Sequence, residues 1–306
     1  IEWADGEPVS ALLQEAAQQG GSLPIGTVLT ILIQLARVLA EAHRQGLINN
    51  DVDVKHLYWN QSARNLKMID WGNAKLVSGA EAGPFTLRDD VIQFADVMYC
   101  LLTGRHALDA AQADLAFWQA ALSEVHPVVR DDLALIGSRA SRLEGGYRQA
   151  IELHRDLEAC MGRFRTYLSG PLAEVDALLQ EAGPESLARA EERLQEIAKI
   201  APVDEGLLQR VARLEAIRRE RREAAAMQLG SAYVKAGSWL DAVEVLSRTF
   251  GYQVDPRSAP GLLLAAARLV DSRRSAVAQE TAAAWASAAR ALVEKQQDRA
   301  LEAYLS

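Results

Sequence analysis

The stretch "NNDVDVKHLYWNQSARNLKMIDWGNAKLV", residues 49–77, decides how the first half of this chain is interpreted. Two short apolar runs, "HLYW" and "LKMID", are separated by the turn-forming residues "NQSARN", which predicts a small β-hairpin. Asp51 and Asp70 stand on the loops at either side of that hairpin. Enzymes that handle magnesium and phosphate often hold carboxylates in this way. The stretch is therefore the candidate functional site, and the residues between the two aspartates decide whether the site can work.

The segments on both sides of this stretch have the patterns of buried helices. Before it, "GTVLTILIQLARVLAEAHRQG" repeats apolar residues three and four apart until Gly46, which predicts one long helix ending at a glycine cap. After it, "TLRDDVIQFADVMYCLLTG" opens with a capping box, Thr86 followed by Asp89, and stays apolar on most faces until Gly104. We expect both helices to lie in the core of a first domain.

Composition favours a mainly helical protein with two domains. The 306 residues are 49% apolar and only 6% aromatic, with much Ala, Leu, Glu, Gln and Arg. A formal net charge of -8 argues against a nucleic-acid partner, because phosphate backbones are held by clustered Lys and Arg. The one arginine-rich run, "RVARLEAIRRERREAAA", alternates with glutamates and is typical of a solvated, salt-bridged helix rather than a binding patch.

The chain has the features of a cytoplasmic protein. Its longest apolar stretch is interrupted by Gln34, Arg37 and Glu41, so we expect a core helix and no transmembrane segment. Cys100 and Cys160 lie far apart and lack the spacing of metal ligands, and no charged-then-apolar leader precedes the first helix. The opening residues "IEWADGEPVSALL" have the pattern of the middle of a domain, so we expect further sequence upstream.

Residues 1 to about 160 resemble, segment by segment, the C-terminal lobe of a eukaryotic-type Ser/Thr protein kinase. "IEWADGEPVSALL" resembles the hinge and the helix after it, and "LTILIQLARVLAEAHRQGLI" resembles the helix leading into the catalytic loop. "NND", ending at Asp51, stands where the family has H-R-D, and "IDWG" stands where it has D-F-G. "DDVIQFADVMYCLLTGR" resembles the central helix, and "DLALIGSRASRLEGGYRQAIELHRDLEA" the closing helices. The alternative, an unrelated helical domain with a D-x-G turn, has to explain each segment separately.

The resemblance implies roles for five side chains. Asp51 would orient the accepting hydroxyl, or is kept only for loop hydrogen bonds, and Asp70 would bind Mg²⁺. Asp53 replaces the lysine that contacts the transferred phosphate in the family, and its carboxylate would repel that phosphate. Lys55 is the only nearby cation in the loop. His56 replaces the asparagine that shares a metal with the D-F-G aspartate, and an imidazole is a poor ligand for magnesium. Asp90 would hold the backbone of the catalytic loop and is structural.

Further departures from the family concern substrate docking and regulation. The segment between Asp70 and Asp90 is short and contains no A-P-E, so a peptide substrate has nowhere to dock. Gly146 stands where the family has the arginine that pairs with the A-P-E glutamate, so both halves of that ion pair are missing. Asn50 replaces the arginine of H-R-D, and Trp71 replaces the phenylalanine of D-F-G, most simply as a core aromatic. The Gly-rich loop and its lysine are not found in these residues.

The remaining histidines are expected to have surface or core roles. His43, His106, His126 and His154 lie in helical segments without acidic partners at ligand spacing.

The second half, residues 166–306, has the pattern of helical hairpins that resemble tetratricopeptide repeats. One full unit keeps the spacing of Leu229, Gly230, Tyr233, Gly237 and Ala242. A half unit matches at Ala190, Leu194, Ile197 and Pro202. An irregular helical bundle with Ala and Gly at its contacts is the alternative. In a repeat array, small residues such as Gly230, Ala232 and Ala242 would form the helix contacts. The exposed face would carry Gln228, Ser231 and Lys235, and the amphipathic segment at 276–305 would either cap that groove or leave it open.

These observations lead to one functional expectation and two alternatives. We expect a non-catalytic, pseudokinase-like module whose helical repeats bind a protein partner in bacterial-type signalling and which requires no cofactor. The first alternative is an active phosphotransferase that uses ATP and Mg²⁺ and has its N-terminal lobe upstream of Ile1. The second is a structural divalent ion, such as calcium, held by "DVD" and Asp70, although the spacing is not that of a known calcium loop.

Overall fold

The computed structural model describes residues 4–77, 86–105, 113–142 and 144–251, together with residues 258, 260, 261, 263 and 264. The described part is mainly helical with a few short strands, which confirms the predicted fold class at that level. The contacts divide the chain into two compact units, Ile1–Ala212 and Arg213–Ser306. Residues 49–77 belong to the first unit.

The elements follow one another in a mainly helical order. They are strand β1 (Glu7–Pro8), helix α1 (Val9–Gln18), helix α2 (Ile25–Arg44), strand β2 (Leu47–Ile48), a 3₁₀ turn (Val54–His56), strand β3 (Leu57–Asn60), strand β4 (Asn65–Met68), strand β5 (Lys75–Leu76), helix α3 (Leu87–Thr103), helix α4 (Leu115–Ala121), helix α5 (Pro127–Ser141), helix α6 (Ala150–Glu181), helix α7 (Pro184–Ile200), helix α8 (Glu205–Ala236) and helix α9 (Trp239–Phe250).

The predicted hairpin is confirmed. Strands β3 and β4 pair antiparallel, with Leu57 opposite Met68 and Asn60 opposite Asn65. Strand β1 adds to the other edge of β3. There the chain passes so close that a Cβ on Gly6 would lie 2.5 Å from the carbonyl oxygen of Trp59, so only glycine fits. A separate pair, β2 with β5, joins the segments just before and just after the hairpin, so the site loops are held at both ends.

Helices α2, α3 and α6 form the core of the first unit, with α5 and α4 packed beside them. Helix α2 ends at Arg44, two residues before Gly46 (φ 75°), and α3 begins at the predicted capping box and ends at Thr103, directly before Gly104 (φ 68°). Both glycines have the left-handed backbone that favours this residue at helix ends. The fully buried apolar side chains of α2 include Leu29, Leu32, Leu35 and Leu39. The predicted apolar spacing is therefore the buried face of the helix.

Helix α2 is also the one helix in the described residues that is long and apolar enough to cross a bilayer by length and composition. Arg37 and Glu41 do not prevent it from passing that test, contrary to the expectation from sequence. In the fold, 67% of the apolar window is buried. Burial at this level is typical of a helix in a protein core, and α2 lies in the core of the first unit.

Helix α6 runs without interruption across the boundary that the sequence pattern placed near residue 165. It contains Pro171, which removes one backbone hydrogen bond from a helix interior. The helix persists because its buried stripe continues on both sides of the proline at spacings of three and four, through Phe164, Leu168, Leu172 and Val175. The first unit accordingly extends to Ala212.

Helices α6 and α7 form a hairpin around a left-handed Ala182 (φ 50°). Arg193 of α7 reaches back to Glu174 of α6 at 3.0 Å. Three of the residues assigned to a repeat half unit, Ala190, Leu194 and Ile197, are buried. They form the buried side of an amphipathic helix. A repeat array and an irregular bundle both require such a side, so these residues do not distinguish the two.

The second unit contains α9 and the part of α8 from Arg213 onward, which pair as a hairpin. A Cβ on Gly230 would lie 3.0 Å from Cγ of Leu246, so the two helices touch at this glycine, as predicted. The buried cluster of this unit consists of Val234, Ala242, Leu246, Leu263 and Leu264. Ala232 is exposed, so its predicted role as a helix contact is wrong. It lies about 200° around the helix from Gly230, because successive residues turn by about 100°.

The predicted binding face has the expected exposure in part. Gln228 and Lys235 are exposed and Ser231 is half-buried. The terminal amphipathic segment at 276–305 lies outside the described residues.

Candidate functional site

The loop that carries Asp51 is anchored on a single buried carboxylate. Asp90, in the first turn of α3, is fully buried. Its two oxygens accept hydrogen bonds from successive backbone amides of the loop, Asn49 N–H at 2.8 Å and Asn50 N–H at 2.7 Å. Gln93, one turn further along α3, accepts from the amide of Val52 at 2.8 Å. The expected structural role of Asp90 is thus seen directly in its contacts.

A histidine that the sequence did not single out completes this anchor. The Nε2 atom of His43 donates to Oδ2 of Asp90 at 3.0 Å, and Nδ1 accepts from the backbone amide of Ala150 at 3.2 Å. Because Nδ1 accepts and Nε2 donates, the imidazole is the neutral tautomer with its proton on Nε2. The expectation of a surface or core role for His43 agrees with its burial. Its acidic partner lies 47 positions away in the chain rather than at ligand spacing.

Asp51, His56 and Asp70 lie together beside this anchor. One possible ligand atom from each of the three residues is within 4.8 Å of the other two. The Nδ1 atom of His56 donates to the backbone oxygen of Asp51 at 3.0 Å, and Nε2 faces Oδ2 of Asp70 at 3.6 Å. The imidazole therefore lies between the two aspartates that the sequence analysis proposed as catalytic and metal-binding.

The two aspartates of this cluster are each held by a neighbour. Oδ2 of Asp51 accepts from the side-chain amide of Asn73 at 3.0 Å. Oδ1 of Asp70 accepts from the amide of Gly72 at 3.3 Å. Asp70 has a left-handed backbone (φ 61°), as does Asn50 (φ 62°). Non-glycine residues adopt this conformation rarely, and it turns the carboxylate of Asp70 back toward the loop of Asp51.

Asp53 makes its contacts within its own loop. It caps the 3₁₀ turn by accepting from the amide of Lys55 at 2.9 Å, and its other oxygen lies 3.3 Å from the Lys55 ammonium. Burial raises the pKa of Asp53, but the amide hydrogen bond and the ammonium outweigh burial and leave the pKa below its usual value. Lys55, which the sequence analysis identified as the only nearby cation in the loop, is therefore paired with the carboxylate of Asp53.

This donor set does not fit magnesium. Mg²⁺ requires a near-octahedral shell of oxygens and holds its waters strongly. In this cluster one of the three side chains is the imidazole of His56, which is only 8% exposed. Its Nε2 atom lies 3.6 Å from Oδ2 of Asp70.

Trp71 is only half-buried, so the expectation of a core aromatic is not met in full. Its Nε1 donates to the backbone oxygen of Met68 at 3.4 Å. Its ring lines an apolar surface groove together with Val38, Ala42 and Leu47.

No side chain fits at Gly146, because neighbouring atoms occupy the space where its Cβ would lie. A Cβ at this position would overlap the carbonyl oxygen of Arg139 and lie 2.6 Å from the guanidinium of Arg88. Arg88, in the first turn of α3, donates to the backbone oxygen of Tyr147. No local pattern indicates this contact, because Arg88 lies 59 positions before its acceptor.

No protein-family model and no curated protein matches this chain.

Proposed function

We propose that the first unit is a kinase-like module without phosphotransfer activity, and that the chain acts as a scaffold that binds a protein partner through its helical hairpins. The single observation that carries the first part is the position of His56 between Asp51 and Asp70. A magnesium–phosphate group held by Asp70 needs oxygen ligands there, and the imidazole offers none.

Two contacts support the same conclusion. Asp51 accepts a hydrogen bond from the side-chain amide of Asn73, so its carboxylate stabilises the loop. Asp53 and Lys55 neutralise each other within the 3₁₀ turn. The loop therefore presents carboxylates to an incoming polyanion, while its one lysine already has a partner. Stabilisation of a developing phosphoryl charge requires the opposite arrangement.

The scaffold role rests on the second unit. The α8–α9 hairpin buries its own small cluster and exposes Gln228 and Lys235 on one face of α8. Leu229 lies beside them and remains 45% exposed. An exposed leucine flanked by an amide and an ammonium suits a partner segment with an apolar anchor and acidic neighbours. Such a partner is the type expected for a signalling adaptor.

The test of the missing activity is a phosphotransfer assay on the full chain with radiolabelled ATP, MgCl₂ and a generic protein acceptor. We expect no transfer and no autophosphorylation above the level of the Asp70→Ala variant. Transfer that is abolished by Asp70→Ala would overturn the proposal and favour the active phosphotransferase. The partner role is tested by affinity capture with the wild type and with a Gln228→Ala and Lys235→Glu double variant, and capture that survives both changes would exclude this face.

A further inference from the structure

The most informative cluster in the described residues is formed by Asp51, His56 and Asp70, and each member has one polar atom fixed by a neighbour. His56 donates through Nδ1 to a backbone carbonyl at 3.0 Å. Asp51 accepts at Oδ2 from Asn73, and Asp70 accepts at Oδ1 from Gly72. This leaves Nε2 of His56, Oδ1 of Asp51 and Oδ2 of Asp70 for a further partner. Ligands of protein-bound metals are commonly oriented by such outer hydrogen bonds.

The buried ring of His56 points to a cation independently of the two carboxylates. Because Nδ1 carries the proton that it donates to the Asp51 carbonyl, the neutral ring has a lone pair on Nε2. Nε2 has no hydrogen-bond partner in the described part of the chain, and the Asp70 carboxylate lies 3.6 Å away. His56 is 8% exposed. A lone pair that faces a carboxylate is repelled by it unless a cation or a hydrogen-bond donor lies between them.

The donor set selects the type of cation. One imidazole nitrogen with two carboxylates suits a borderline divalent metal such as zinc, whereas magnesium and calcium prefer oxygen alone. Zinc bound by three protein ligands keeps one position for water. Its bonds of about 2.0–2.2 Å place ligand atoms about 3.3–3.6 Å apart in a tetrahedron. The three ligand atoms lie within 4.8 Å of one another, so the cluster must contract by up to about 1.5 Å. Asp70 can supply this movement because its side chain is 53% exposed.

We propose that Asp51, His56 and Asp70 form a nucleotide-independent site for Zn²⁺ that discriminates against Mg²⁺. The bound ion joins the loop after β2 to the loop after β4 and offsets the repulsion between the two carboxylates. The inference does not rest on the absence of phosphotransfer, since an active enzyme could lack the zinc site and an inactive one could have it.

Competing zinc ligands are few among the residues that the structure describes. Burial raises the pKa of Cys100 to about 11 and that of Cys160 to about 12, so neither thiol offers a thiolate near neutral pH. His154 is the appropriate control because it also lies beside a carboxylate, with Nε2 3.6 Å from Glu158 one helical turn away. A zinc ion held by any histidine–carboxylate pair would bind there equally well.

The test is a calorimetric titration of the full chain, freed of metal with a chelator, with ZnCl₂ in nucleotide-free buffer. We expect one ion per chain, at least about 10-fold weaker binding in His56→Ala and in Asp70→Asn, and unchanged binding in His154→Ala. Substitution with CoCl₂ should give the visible absorption of a four-coordinate ion in the wild type only. Excess MgCl₂ should leave the zinc isotherm unchanged.

Three results would overturn the proposal. They are the absence of zinc binding, equal binding by the wild type and His56→Ala, and displacement of zinc by magnesium at comparable concentration. If His56→Ala does not fold by circular dichroism, Asp70→Asn decides the matter, because its side chain is largely exposed.

Discussion

The Nε2 atom of His43 lies 3.0 Å from Oδ2 of Asp90, and both side chains are buried. The same carboxylate holds the loop amides of Asn49 and Asn50, while the other ring nitrogen of His43 receives the first amide of α6. The pair therefore links three parts of the first unit: the end of α2, the site loop and the start of α6. A buried carboxylate with three donors is stable only while every donor remains in place.

Removal of the carboxylate at this junction should destabilise the first unit. Asp90→Ala leaves two loop amides and the His43 N–H without acceptors, so we expect the free energy of unfolding to fall by about 1–3 kcal/mol. Urea denaturation followed by circular dichroism measures this change. The exposed Asp131 on α5 is the control, and Asp131→Ala should change stability by less than about 0.5 kcal/mol. If Asp90→Ala were as stable as the wild type, the result would contradict the proposal that this loop is held as in a kinase-like domain.

The second prediction concerns His43 itself. His43→Ala removes one donor from Asp90 and one acceptor from the Ala150 amide, and it leaves a cavity at the start of α6. We expect a loss of about 1–3 kcal/mol in unfolding free energy. Hydrogen exchange of the Ala150 amide should become faster than in the wild type. An Ala150 amide that remains equally protected would show that α6 does not depend on this ring.

Two glycines should respond to alanine with opposite signs. Gly146→Ala places a methyl group on the Arg139 carbonyl and the Arg88 guanidinium, so it should lower stability by about 1–3 kcal/mol. Gly162 lies within α6, is exposed, and has open space where its Cβ would be. Gly162→Ala should raise stability by about 0.5–1 kcal/mol, since glycine is a poor helix former. Thermal melts of the two variants test the pair, and a destabilising Gly162→Ala would contradict an unbroken α6.

Exchange of the imidazole for an amide should change which metal the cluster prefers. His56→Asn replaces the nitrogen donor by an oxygen donor, so the affinity for Zn²⁺ should fall by at least about 10-fold while the affinity for Mg²⁺ stays equal or rises. Parallel titrations with ZnCl₂ and MgCl₂ measure the ratio. The conservative Asn73→Ser variant, which only alters the support of Asp51, should weaken zinc less. A preference for zinc that is unchanged in His56→Asn would remove the imidazole from the site.

The two cysteines should be inert in the folded protein. Desolvation by burial is the main cause that raises the pKa of Cys100 to about 11 and that of Cys160 to about 12, from an ordinary value of 9.0. The folded state therefore favours the protonated thiols. This contribution to stability is complete below pH 9 and is lost as the pH rises through 11 to 12. A thiol reagent at pH 8 should label both cysteines only after denaturation, and rapid labelling of the native chain would contradict their burial.

The sequence by itself determined the features that depend on near neighbours in the chain. The hairpin at 57–68 follows from two apolar runs around a turn, and the capping box at Thr86 and Asp89 follows from residues three positions apart. The helix that ends two residues before Gly46 follows from an apolar period of three and four. These signals work because the interactions that they describe are formed within one turn or one hairpin.

The tertiary structure alone decided the contacts between residues far apart in the chain. The pairing of His43 with Asp90 and the placement of Arg88 against Tyr147 span 47 and 59 positions, and no local pattern encodes either contact. The same is true of α6, which contains a proline and stays intact because its buried apolar stripe continues on both sides of it. It is also true of His56, whose ring came to lie between Asp51 and Asp70 only when the loops after β2 and β4 were brought together by the hairpin. Packing decides such cases because the free energy of burying side chains and satisfying buried polar groups exceeds the local preferences that a sequence pattern records.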